Sequence, residues 1–110
     1  MKKGNIWRVH LPFRPGHVQS GDRPAVIVQD DPITAGLPTV LVVPFTSNRA
    51  TLRYTGTVLV QPDGKNGLTM PSVALVFQLV PVDKRDFLRF LGRIDGADLD
   101  DRFTSPSPVR

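Results

Sequence analysis

The sequence predicts a mostly β fold, a β-rich α+β domain, and three observations carry that reading. Eleven prolines and nine glycines punctuate 110 residues, a density that favours many short elements joined by turns over long helices. Residues 25–28 and, after Thr39, residues 40–43 are continuously apolar and rich in β-branched side chains, the pattern of strands covered on both faces. Residues 5–11 alternate apolar Trp7, Val9 and Leu11 with Arg8 and His10, as a half-buried strand with one wet face does.

Each element follows from local chemistry. Residues 12–21 are rich in Pro and Gly and form a long loop carrying Arg14, His17, Gln19 and Ser20; loops of that length usually carry function. Pro24 has no donor for a ladder and belongs at the first position of a strand over 25–29. Residues 30–38 read as a connection, and Pro44 is expected to stop the strand that starts at Thr39. Further strands are predicted over 57–61 and, as the longest, over 72–80. Asp83 opens the clearest helix signal: it can cap, Asp86 follows three residues on, and Val82 with Phe87 makes a hydrophobic staple. That helix shows Phe87, Leu88 and Leu91 on one face and ends at Gly92. A short final helix over 95–103 places Leu99 and Phe103 four apart, and residues 104–110 are predicted to be a disordered tail. Five to seven short strands with one or two short C-terminal helices fit a small SH3-like barrel, a single domain over residues 1–103.

Composition narrows the class. Hydrophobic residues make up 40% of the chain and no apolar run approaches a membrane span, so a soluble globular protein without membrane contact is expected. Lys2 and Lys3 are followed by no apolar h-region, so no signal peptide is read. Cysteine is absent; that excludes disulfides, thiolate zinc sites and thiol nucleophiles and leaves the cytoplasm as the default compartment. Two histidines without Cys or Glu do not make a metal site, and no cofactor motif is present. Residues 1–93 hold 12 Lys and Arg against 6 Asp, a charge of +6, while residues 94–110 hold 2 Arg against 4 Asp, a charge of −2. A mildly basic body suits a polyanion partner without demanding one.

Two stretches carry candidate chemistry. In Gly21-Asp22-Arg23-Pro24, the proline pushes Arg23 to an extended backbone at a strand mouth. Its planar fork of donors suits phosphate oxygens, although a lone arginine in a turn is ordinary on a surface. In Phe45-Thr46-Ser47-Asn48-Arg49, two hydroxyls, an amide and a cation leave a buried strand together. Ser47 and Asn48 serve equally as turn-formers that bond their own backbone, whereas β-branched Thr46 gains little in that role. Gln78, inside an apolar run, is either a satisfied sheet amide or a group aimed into a site.

In order and spacing, residues 4–7, Gly16-His-Val-Gln-Ser-Gly-Asp-Arg-Pro24, Pro44-Phe-Thr-Ser-Asn48 and Gly67-Leu-Thr-Met-Pro-Ser72 leading to Gln78 closely resemble the MazF/PemK family of toxin–antitoxin endoribonucleases. The resemblance covers about residues 4–95. It implies a homodimeric SH3-like barrel that cuts single-stranded RNA without metal, leaving a 2′,3′-cyclic phosphate and a 5′-hydroxyl. It also implies a cognate antitoxin whose disordered acidic segment covers the site. By position, the family's catalytic Arg falls on Arg23 and its catalytic Thr on Thr46. Gln19, Ser47 and Asn48 fall where the family contacts RNA or lines the site, and Arg49 supplies a cation beside them.

Departures from the family pattern are specific. Val18 stands where the loop usually has Glu, with His17 beside it as a candidate base or stacking ring, or as a solvated loop histidine. Asn5 replaces the usual Asp, and the acidic end is shorter than a full terminal helix needs. Two other functions fit the same fold: a gyrase poison like the related CcdB family, and a non-catalytic nucleic-acid-binding barrel. The Arg-Pro and Thr-Ser stretches argue against the first, and the missing loop Glu is the best support for the second.

Overall fold

The computed structural model describes residues 1–12 and 20–104. His17, Gln19 and the tail beyond Thr104 lie outside the described residues. Seven strands alternate with short helical turns: β1 (Asn5–Leu11), β2 (Gly21–Ile27), α1 (Asp31–Gly36), β3 (Thr39–Thr46), β4 (Thr57–Val60), β5 (Ser72–Leu75), β6 (Val80–Asp83), β7 (Phe87–Arg93) and α2 (Gly96–Leu99). All pairings among the described residues are antiparallel, in the order β4-β5-β3-β2-β1-β7, with β6 also on β3. This is the mostly β, barrel-like architecture that the short apolar runs imply.

β3 is the shared strand. Val42, Val43 and Pro44 pair with Ile27, Val26 and Ala25 of β2. On the other edge, residues 39–42 pair with β6 and Phe45 and Thr46 pair with β5. Its two faces fill two cores. Val43 and Phe45 join Ile6, Val26, Ala74, Leu99 and Phe103 in one cluster. Val40 and Val42 join Val9, Leu11, Ala25, Ile27, Val80 and Val82 in the other. The unbroken apolar runs of β2 and β3 thus follow from burial on both sides.

Four local expectations change. β3 continues through Pro44, because that residue falls between the β6 and β5 ladders, where the edge has no strand to bond. Pro24 likewise sits inside β2, one residue before the ladder to β3 begins. The predicted long strand over 72–80 is split into β5 and β6 by a 3₁₀ turn, Val76–Gln78. Ala74 and Val80 are six residues apart while their β3 partners, Phe45 and Val42, are three apart. The surplus must loop out. The connection over 30–38 contains helix α1, with Pro32 in its first turn and buried Gln29 donating to Thr34 Oγ1 at 3.1 Å.

The largest correction is the helix expected over 83–92. Asp83 does cap, accepting from the Arg85 amide at 2.8 Å, but it closes only a 3₁₀ turn, Lys84–Asp86. Residues 87–93 then form β7 along the free edge of β1, pairing Asn5 with Arg93 and Val9 with Phe87. Helix propensity is a weak prior, and a strand edge that needs a partner overrides it. Phe87 and Phe90 pack edge-on against Trp7, each with ring centroids 5.8 Å away. Gly92 is no cap: a Cβ there would strike the Lys65 carbonyl, and one at Gly67 would strike the Leu91 carbonyl. The 61–68 loop is therefore seated directly on the β7 backbone. The short helix expected over 95–103 appears as α2 and a π-helical turn, Asp100–Thr104, with Leu99 and Phe103 buried. Lys3 ties this end to the start of the chain through Asp100 and also reaches Asp30 before α1, both at 3.2 Å.

Two outcomes test this packing. Gly67→Ala and Gly92→Ala should each cost about 2–3 kcal/mol in urea denaturation, since backbone on the facing side cannot yield. Gly21→Ala, with the same positive φ as Gly67 but open space around it, should cost only about 1 kcal/mol. Asp63 accepts the amides of Lys65 and Asn66, both at 2.9 Å, and these bonds hold its carboxyl below the usual 3.8. Its folded-state pKa is depressed, so its contribution is fully present above the usual 3.8 and is lost as pH falls through the folded pKa. The stability gap between wild type and Asp63→Ala should accordingly be widest near neutral pH and close in acid.

Candidate active site

The site grows from the register of β2 on β3. Ala25 faces Pro44, and extending that antiparallel register by two residues sets Arg23 across from Thr46. Both residues line one cleft of about 270 Å³. β1 contributes Arg8 to it, β7 contributes Arg89 and Leu91, and residues 67–70 with Ser72 form the remaining wall. Ser47 lies at its rim, at the exit of β3.

Arg23 is half-buried, and its Nε donates to the Ser20 carbonyl at 3.0 Å. That bond orients the guanidinium and leaves both terminal nitrogens without a partner among the described residues, a fork suited to an oxyanion. Thr46 is 6% exposed, and its Oγ1 accepts from the Asn48 amide at 3.1 Å. A hydroxyl engaged as an acceptor keeps its own proton to donate. Asp22 is the one carboxylate among the described lining residues, and it faces His10 Nδ1 at 2.8 Å. Three guanidinium groups against one carboxylate give the cleft a net positive character suited to a phosphodiester.

The sequence-level candidates divide. Arg23, Thr46 and Ser47 come together. Asn48 turns away: its Oδ1 caps the 3₁₀ turn Arg49–Arg53 by accepting from Ala50 at 3.1 Å, and it lines a neighbouring, mainly apolar cleft with Tyr54 and Phe77. Arg49 is exposed and lines neither cleft. Gln78 lies in the turn between β5 and β6 and lines neither cleft. Sequence reasoning missed Arg8 and Arg89. Arg8 shows in the sequence as the wet face of β1, whereas a helical reading of residues 83–92 sets Arg89 apart from it. No three His, Cys, Asp or Glu side chains are grouped as metal ligands among the described residues.

Comparison with known proteins gives the family and the fold. Residues 2–101 match the family described as PemK-like, MazF-like toxin of type II toxin–antitoxin systems. The chain is 34% identical over 104 residues to Endoribonuclease MazF9 of Mycobacterium tuberculosis, covering 90% of this chain and 86% of that protein. Among solved structures, MazF from Deinococcus radiodurans superposes with a TM-score of 0.72 at 22% identity, covering 90% of this chain and 84% of that one. A mycobacterial endoribonuclease in complex with its cognate antitoxin gives 0.69 at 19% identity, covering 98% and 99%. At these identities the structural likeness speaks for the fold.

The hydroxyl bond at the exit of β3 is open to test. Thr46→Val keeps the shape but orphans the Asn48 amide, and should cost about 1 kcal/mol in thermal unfolding. Thr46→Ser should recover most of it.

Proposed function

The chain belongs to the PemK-like, MazF-like toxin family of type II toxin–antitoxin systems, and from that premise we propose that it is an endoribonuclease toxin cutting single-stranded RNA at the Arg23–Thr46 cleft. The observation that carries the reading is the meeting of these two side chains, 23 residues apart in the chain, in one cationic cleft.

The chemistry assigned is attack by the neighbouring ribose. The 2′-oxygen bonds to phosphorus, the 5′-oxygen leaves, and the proton lost by the 2′-hydroxyl ends on that leaving oxygen. The products are a 2′,3′-cyclic phosphate and a 5′-hydroxyl. No protein nucleophile and no metal enter this scheme; it needs alignment and neutralisation of charge building on the pentavalent phosphate. Arg23 is assigned to that charge, since a guanidinium stays protonated and is a poor base. Thr46 is assigned a hydrogen bond to a phosphate oxygen, and Ser47 a contact to the strand at the rim. Residues 17, 19, 48 and 49 are assigned to RNA further along the strand.

The same reading gives the chain a cognate antitoxin with an acidic segment, a homodimeric assembly and a cytoplasmic site of action, with residues 1–103 acting as one domain. Its support is the net positive cleft, the structural neighbour that is complexed with its own antitoxin, and exposed Leu88 and Phe90 on β7.

Incubation with a long unstructured RNA in EDTA tests the proposal. Wild type should yield fragments whose 5′ ends accept phosphate from polynucleotide kinase without prior phosphatase treatment. Arg23→Ala and Thr46→Ala should each slow cleavage by about 10²–10³, the usual cost of losing one preorganised donor. RNA left whole by the wild-type protein sinks the assignment.

A further inference from the structure

The cleft holds more positive charge than one scissile phosphate calls for. Arg8 of β1 and Arg89 of β7 are direct cross-strand partners, and both line the cleft with Arg23. Like charges directly opposite each other on a sheet are destabilising. Among the described residues neither makes an ion pair with a carboxylate. Arg8, half-buried, donates from Nη2 to the Asp22 carbonyl at 3.3 Å, while the Asp22 carboxylate faces His10 instead. Arg89 is exposed and has no hydrogen bond or ion pair among the described residues. The contrast with other arginines of the fold is plain: Arg85 is held by Asp83 at 3.1 Å and Arg102 by Asp98 at 3.7 Å. A cross-strand cation pair with no ion-pair partner among the described residues, on the wall of a net positive cleft, suits an anion.

We propose that Arg8 and Arg89 together hold a second phosphate of the RNA strand, adjacent to the one at Arg23. The inference rests on the RNA-cleaving reading above and adds to it a site that sets where the strand lies. A single strand brings its phosphates in series, so a chain anchored at Arg23 must carry the next charge along the cleft. Two guanidinium groups can each present paired donors to that phosphate. Binding would also relieve the repulsion between them, so the ligand offsets a cost that the free protein carries.

The experiment uses the full chain and an oligonucleotide that lacks every 2′-hydroxyl, so that it binds without being cut. Affinity is measured over a series of salt concentrations for wild type, Arg89→Gln, and the Arg8→Gln/Arg89→Gln double variant. The double variant should bind about tenfold more weakly, and its log–log salt slope should flatten by about 0.7, the value for one phosphate contact on a single strand. In cleavage assays the loss should fall mainly on KM, unlike that of Arg23→Ala. Its Tm should match or exceed wild type, because the repulsion is gone; Arg89→Gln, at an exposed position, gives the same readout without risk to folding. An unchanged salt slope overturns the proposal. So does a loss of binding seen with polyaspartate but not with the oligonucleotide, which would mark the pair as a contact for an acidic protein segment. Wild type that neither binds the oligonucleotide nor cuts RNA overturns the nuclease reading itself; wild type that does both, with an indistinguishable double variant, overturns the second phosphate alone.

Discussion

β3 must satisfy three partners with one backbone, and the rest of the molecule is arranged to let it. β2 takes one edge, and β6 and β5 divide the other end to end. That division explains the 3₁₀ turn between β5 and β6, and it leaves a stretch of edge where Pro44 costs nothing. It also sends β3 out of the sheet beside β5, with Thr46 as its last paired residue. The exit of β3 and the mouth of β2 then lie together because the two strands run in opposite directions. A cleft formed there belongs to the sheet itself, which makes its geometry stiff.

The second contributor is the contact between the 61–68 loop and β7. Backbone touches backbone at Gly67 and Gly92, with no room for a Cβ on either side. Asn66, 1% exposed, ties the loop down by donating to the Gln61 carbonyl at 2.8 Å and accepting from the Leu68 amide at 3.0 Å. The next residues, 68–70, are a wall of the cleft. Glycine is thus used here for closeness, and the loop's position is passed on to a wall of the site.

Electrostatics set the character of the site more than its shape does. The body of the protein is only mildly basic, yet the cleft concentrates three arginines from three strands against one carboxylate, itself turned towards His10. Like charges facing each other on a sheet oppose folding, so such a concentration does not arise for the fold's benefit. Its charge suits a polyanion, and Arg23 is oriented there by its bond to the Ser20 carbonyl.

By itself the sequence determined what depends on short range and on composition. The strand runs of β2 and β3 were legible because both faces are buried and every residue had to be apolar. Arg23 and Thr46 were legible as candidates because Pro24 stiffens the first and a β-branched residue is a poor turn-former at the second. The tertiary structure alone decided what depends on pairing. Residues 87–93 carry a helix-compatible pattern and a working cap at Asp83, but the unpaired edge of β1 drew them into a strand. That single choice brought Arg89 beside Arg8, a neighbourhood invisible to any local pattern. Asn48 shows the reverse: its place in the chain suggested the cleft, and its amide oxygen was taken by a 3₁₀ cap. Which polar side chain faces a site is settled by the long-range register of strands, and register is set by the packing of both faces at once.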